Sequence, residues 1–515
     1  GCAGTPPPGG TYPRVIVDAR RLPEGAELEA ALVIVGGGPC GLTVARELAR
    51  DGPQVLLVES GGRAGDDGAQ RLAELEEGAS DLHPHGETRW RQLGGTAHIW
   101  HRSADRWARY LPLTPLDLEA RDWVPESGWP FAWAELAPYL GRALATCGVE
   151  EPSLRVEDWE RPGALRLPLD PSRFETAIET FGPPEAFTER YPRELESSPG
   201  VTILTNATAL ALEQGAGSEA VERVRLASLG GGRRSARARR FVLAAGAIEN
   251  ARLLLLSNGR EAGGIGNRRG LVGRYLMEHA KVHAGILTAG DASLMQRSAL
   301  YDVRRLEAGM VGAKLALAPA AQREFGLLAS AARLVRAGGI RWSRVPAGEP
   351  AFDVELQTEL VPDAGNRLTL SEHGRDELGL PRASVHWRWS ERELSSVRGT
   401  GRLLAGEFAR AGVGRLDIPP PEAPPELTSP SSHQMGTTRM HRDPARGVVD
   451  AEGRVHGVPN LWIGGASTFP TGGYANPTLS IVALALRLAD GLRKRRREDQ
   501  RPVVRDPGTG ATAEA

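Results

Sequence analysis

Residues Ala31 to Ser60 read ALVIVGGGPCGLTVARELARDGPQVLLVES, and they decide how the chain begins to fold. An apolar, β-branched run from Leu32 to Val35 has the form of a buried strand. A glycine turn follows, then an amphipathic helix over about Cys40 to Arg50 and a second apolar strand over Gln54 to Glu59. That is one βαβ half. Its glycines fall at Gly36, Gly38 and Gly41. The first allows the tight turn, the second lets backbone approach a pyrophosphate, and the third lets helix pack on strand. Glu59 ends the second strand 18 residues after Gly41 (59 − 41), where a carboxylate can accept both ribose hydroxyls of a dinucleotide.

Outward from this unit, no second strand, GxGxxG and helix sequence occurs, so nothing would hold a nicotinamide cofactor beside the first nucleotide. One bound flavin is therefore preferred over NAD. Later segments supply further elements: VTILTNATALALEQ (Val201 to Gln214) and RARRFVLAAGA (Arg237 to Ala247) as strands, and AIENARLLLLS (Ala247 to Ser257) as a helix. FDVELQTELV (Phe352 to Val361) and ASVHWRWS (Ala383 to Ser390) alternate with period two, which predicts a second, antiparallel sheet. SERELSSVRGTGRLLAGEFARAG reads as a helix, and the block from Arg454 returns to strand and helix. Between Leu111 and Pro199 only short helical patches are legible.

At 515 residues the chain exceeds one ordinary core, and 41% hydrophobic with 25% charged residues is a globular composition. A formal net charge of −1 gives no electrostatic reason to expect nucleic acid, and no apolar run is long enough to span a membrane. Three irregularly spaced cysteines, Cys2, Cys40 and Cys147, suggest neither a disulfide framework nor a metal site. The Gly/Pro-rich residues 1–14 read as a disordered extension. Gly1-Cys2 has the form left by lipoprotein cleavage, but a plain linker is the preferred reading. A cytoplasmic location is expected, with export or lipid anchoring as the alternative.

Four separated blocks now point one way. GGGPCG with Glu59, RQLGGTAHIW (Arg91 to Trp100), the pair FVLAAGAIENARLLLLSN and GLVGRYLMEH (within Phe241 to His279), and Ser431 to Asp490 together resemble the glucose-methanol-choline (GMC) oxidoreductases. The resemblance runs from about Val15 to Arg493, and its GGT and NPTL forms are most similar to the branch of pyranose oxidases and gluconate and glucoside dehydrogenases. It implies an α/β fold with a Rossmann-type FAD-binding domain and an α+β, mostly antiparallel-sheet substrate domain. The expected FAD domain is discontinuous (15–110, 197–285 and 428–496). Residues 111–196 and 286–427 form the substrate domain, and 497–515 a disordered tail.

The resemblance further implies an FAD-dependent alcohol or sugar dehydrogenase or oxidase, its electron acceptor unspecified. It places a catalytic histidine at His433, in HQMGTTRM, and its partner at Asn476. Histidine suits abstraction of a hydroxyl proton because its unperturbed pKa of about 6.5 leaves it neutral near pH 7. The flavin site is expected to include Gly36, Gly38, Gly41, Glu59, Gly94, Gly95, Thr96, Ala209, Gly246, Gly465 and Ala466. A helix beginning at Pro477, with Thr478, would aim its unpaired N–H groups at the flavin pyrimidine edge. Some relatives bond flavin covalently through a histidine just before the tryptophan. Ile99 holds that place here and His98 is displaced by one, so non-covalent FAD is expected and His98 and His101 are read as polar cleft residues. His279 is read as structural. Trp100, Trp107, Trp123, Trp129 and Trp133 can stack on sugar faces, but core or lid packing is preferred for most. Two other classes compete: a hydroxynitrile-lyase-like enzyme with redox-idle FAD, and a nucleotide-dependent or non-catalytic flavin-binding protein.

Overall fold

The computed structural model describes residues 16–499 apart from 51–53, 77–79, 81–87, 101–106, 150–152, 292–293, 295–297, 307–308, 337–343, 346–349 and 429–431. Strands Ile16–Asp18, Val201–Thr205, Val55–Val58, Glu27–Val35 and Arg233–Leu243 lie side by side in parallel. Leu32 to Val35 and Val55 to Val58 are almost wholly buried, as strands covered on both faces must be. The long strand Arg233–Leu243 divides its second edge. Its first half pairs antiparallel with Val221–Ala227, and its last three residues pair parallel with Leu461–Ile463. The C-terminal block is thereby stitched beside the first βαβ unit. Helix Pro39–Ala49 also packs on helix Thr478–Asp499.

A second eight-stranded sheet contains Ala108–Tyr110, Phe174–Gly182, Gly309–Leu317, Ser330–Arg336, Ala351–Glu359, His279–Ala289 and Gly414–Asp417, with Arg304–Leu306 on Gly309–Leu317. All its pairings are antiparallel. The two period-two segments separate. Ala351–Glu359 lies in this sheet, whereas Pro381–His386 joins Arg367–Arg375 and Leu75–Glu76 in a three-stranded one. Phe174–Gly182 is a full strand within the Pro-rich stretch where only helical patches were legible. Helix Glu391–Arg410 starts as its sequence says, with Ser390 and Glu393 forming a capping box.

Two boundaries differ from expectation. The last helix starts at Thr478, not Pro477, because the Pro477 carbonyl accepts the N–H of Ile481 at 2.8 Å and so caps the helix from outside. It also runs to Asp499, past the start of the disordered tail expected over 497–515; the remainder of that tail and residues 1–14 lie outside the described residues. Among the described residues no helix is long and apolar enough to cross a membrane.

Candidate functional site

Strand Ala351–Glu359 alternates as its sequence requires, yet both of its faces are buried. Asp353, Glu355 and Gln357 are each 4% exposed and Glu359 is 0% exposed. Four buried polar side chains on one face need four sets of partners. Asp353 meets His283 Nδ1 at 2.8 Å, and Glu355 Oε2 accepts from the Thr428 hydroxyl at 2.6 Å. Gln357 Nε2 donates to the Tyr474 carbonyl at 2.6 Å. Glu359 takes Arg121 in a two-pronged pair at 2.7 and 2.9 Å and also accepts the Gly473 N–H at 3.2 Å. This strand therefore fixes the loop Thr471 to Asn476 from beneath.

The polar face borders a cavity of about 540 Å³ that runs between the two large sheets. Its walls include His433 and Asn476, 43 positions apart in sequence (476 − 433). Asn476 Oδ1 lies 3.4 Å from Gln357 Nε2. Beside it, His433 Nδ1 stands 3.0 Å from Nδ1 of His279, with the rings edge to face. Only one proton fits between those two nitrogens, so one ring donates and the other accepts. Burial first, then the neighbouring His279, Lys281 and Lys314, holds His433 well below the usual histidine range. Burial likewise lowers His279 to about 4. His279 Nε2 lies against the Gly472 backbone without a fully formed hydrogen bond.

At its other end the cavity is walled by Gly36, Gly38, Glu59, Gly95 and Thr96. Ala209, Gly246, Gly465, Ala466, Pro477 and Thr478 line it as well. Gly36 has φ +109°, and a Cβ there would meet the Ala244 carbonyl oxygen at 2.5 Å. Gly41 lies behind the wall: a Cβ would sit 1.9 Å from the Gly36 oxygen, so its absence lets the helix close onto the turn. Gly38, at the N-cap of helix Pro39–Ala49, offers no side-chain cap, leaving the first N–H groups directed at the cavity. Glu59 accepts from the N–H groups of Gly37 at 2.8 Å and Gly61 at 2.7 Å, while burial raises its carboxyl pKa. The turn, the helix N-terminus and the carboxylate thus form a cradle with the donors and acceptor that a diphosphate and ribose need.

Gly94 does not line the cavity. Its N–H donates to the Gly37 carbonyl at 2.9 Å, so it ties the two glycine loops together from behind. His98 is also turned away: its Nε2–H is given to the Leu93 carbonyl at 2.8 Å, while Ile99 and Trp100 face the cavity. His101 lies outside the described residues. Of the clustered tryptophans, Trp100 and Trp107 reach the cavity. Trp129 packs on Phe131 and Phe469 and donates to the Thr471 hydroxyl, and Trp123 donates to the Leu327 carbonyl. The sequence reading passed over Gln357, Lys281, Arg333 and Glu355 and set His279 aside as structural. The signal for Glu355, Gln357, Lys281 and His279 was the regular spacing of polar residues in AFDVELQTE and HAKVH, which resembles a solvent-facing edge until burial is known, whereas Arg333 stands in the largely apolar strand SAARLVR and gave none.

A family model described as FAD dependent oxidoreductase matches residues 31–272, and one described as GMC oxidoreductase matches 362–485. The chain is 29% identical to paromamine 6'-oxidase of Streptomyces fradiae over 89% of its own length and 90% of the relative's. It is 27% identical to the fructose dehydrogenase large subunit of Gluconobacter japonicus over 90% and 98%, respectively. In fold it is similar to formate oxidase of Aspergillus oryzae, with a TM-score of 0.61 at 17% identity, covering 93% of this chain and 100% of that one. The nucleotide cradle falls within the first match and Asn476 and His433 within the second, so residues 31–272 are similar to an FAD dependent oxidoreductase domain and residues 362–485 to the C-terminal domain of GMC oxidoreductases.

Proposed function

We propose that the protein oxidises a CH–OH group of a sugar, glycoside or related alcohol, with His433 as the base and Asn476 as the group that steadies the substrate oxygen. The observation that supports this most is the meeting of His433 and Asn476 in one cavity, both anchored through buried partners. Bound FAD supplies a two-electron acceptor for the hydride leaving the same carbon. Gly36, Gly38, Gly95 and the Pro477–Thr478 helix start would hold it through backbone, and Glu59 through the ribose. The commitment of His98 Nε2 to a carbonyl supports non-covalent attachment.

His433 donates its Nδ1–H to His279 Nδ1, which leaves Nε2 with a free lone pair for the substrate hydroxyl. The depressed pKa keeps that nitrogen unprotonated before substrate arrives. Asn476 donates its amide to the same oxygen as the proton leaves, and Gln357 holds Asn476 in place. The hydroxyl proton thus ends on His433 while the carbon beside it gives up its hydride, leaving a carbonyl product.

Anaerobic mixing of the holoenzyme with sugars, glycosides and alcohols should bleach the visible flavin absorbance. His433→Ala should slow that bleaching about 10² to 10⁴ fold. Bleaching at the wild-type rate removes His433 from the role of base. A flavin that no alcohol reduces favours the lyase reading instead. Acid precipitation should release the yellow colour into the supernatant, and colour in the pellet would contradict the non-covalent reading.

A further inference from the structure

The wall facing His433 is ionic, and its charges do not cancel in pairs. Across the second sheet Arg333 is registered opposite Glu355, and Gln357 opposite Lys281. Arg333 stands 3.8 Å from Glu355 and 3.8 Å from Glu179, too far for a hydrogen bond to either. Lys314, 2% exposed, approaches Glu179 to 3.4 Å, yet its Nζ makes no hydrogen bond. Glu355 is already bonded to the Thr428 hydroxyl. Lys281 lines the cavity and its ammonium makes no hydrogen bond or ion pair of contact length with any described residue. The charges that act on Lys281 at longer range are Glu355 and Glu278 against Lys314 and Arg109. Glu278 Oε1 accepts from Gln434 Nε2 at 2.7 Å.

Counted together among the described residues, the cations Lys281, Arg333 and Lys314 face the carboxylates Glu355 and Glu179, one fewer. An ammonium withdrawn from bulk water is costly without a counter-ion, whereas a neutral polyol needs only uncharged donors. An amine would meet carboxylates already shared with Arg333 and would add a like charge beside Lys281. A carboxylate, in contrast, can take the ammonium of Lys281 and the unbonded N–H groups of Arg333 together. Resting on the redox reading of this cavity, we propose that it is built for an anionic substrate, a sugar acid or other carboxylated polyol, whose carboxylate binds Lys281 and Arg333 while a hydroxyl reaches His433.

Glucuronate, glucose and glucosamine are near-isosteric probes that differ in charge. Equilibrium dialysis of each labelled sugar against the FAD-loaded protein reads binding whether or not the flavin is reduced. Glucuronate should bind at least about tenfold more tightly than glucose, glucosamine should bind least, and the preference should shrink with added salt. In Lys281→Met the ratio of glucuronate to glucose affinity should fall to within about threefold, and Lys281→Arg should restore most of it. Because the ratio is taken within each variant, a general loss of folding or of FAD does not imitate it. Equal binding of glucose or glucosamine, or an unchanged ratio in Lys281→Met, overturns the proposal. An effect of Lys281→Met on both sugars alike would assign Lys281 to tuning His433 and also overturn it. Failure of the redox reading is visible separately, as a flavin that no sugar bleaches while the dialysis preference stands.

Discussion

Replacing His279 by leucine tests the arrangement at its most specific point. With His279 Nδ1 as the acceptor across their 3.0 Å contact, His433 carries its proton on Nδ1 and leaves Nε2 free. Leucine fills most of the volume but accepts nothing, so the His433 Nδ1–H would be left unpaired in a site where His279 is 0% exposed. An unsatisfied buried donor costs about 1 to 3 kcal/mol. The ring escapes that cost by moving its proton to Nε2, and the lone pair then faces away from the substrate. At about 1.4 kcal/mol per tenfold, flavin reduction should slow about 5- to 150-fold. Stopped-flow reduction under anaerobic conditions measures this directly, with FAD content matched between variants. His279→Asn can offer its amide oxygen to the same N–H and should recover part of the loss. Reduction by His279→Leu at the wild-type rate, or a His279→Asn no better than His279→Leu, would refute the tautomer argument.

Other consequences concern pH, the buried ions and the cradle. Because burial and nearby cations lower the His433 pKa, flavin reduction should stay level as pH falls past 6.5 and decline only further into acid; a midpoint at 6.5 would mean a solvated histidine. His279 carries the matching stability effect: its pKa falls from 6.5 unfolded to about 4 folded, so the unfolded chain takes the proton first and thermal stability should drop as pH falls through that window, by up to about 3 kcal/mol from this group. Arg121 and Glu359 have fully buried side chains, so Arg121→Met should destabilise by about 3 to 5 kcal/mol, read by thermal denaturation, and Arg121→Met with Glu359→Leu should cost less than Arg121→Met alone. Gly41→Ala places a Cβ 1.9 Å from the Gly36 oxygen and should yield protein lacking flavin absorbance; a fully yellow variant would show that the turn can yield.

What the sequence determined by itself was local in its logic. The strand, glycine turn and helix of Leu32 to Ala49, the acid at Glu59 and the capped helix after Ser390 are written in spacing, because each depends on residues only a few positions apart. His433 and Asn476 were legible as well, but only as motif members with no distance between them. Tertiary structure decided the rest. It brought them into one cavity, moved Gly94 behind the wall and made His279 the partner of His433. It also turned the polar face of Ala351–Glu359 inward, where a period-two pattern ordinarily means solvent. The physical reason is that hydrogen-bond partners and net charge in a buried site come from strands and loops far apart in sequence. Lys281, Arg333 and Glu355 are single polar letters in ordinary strands, and they acquire meaning only when antiparallel register sets them across the cavity from the histidine.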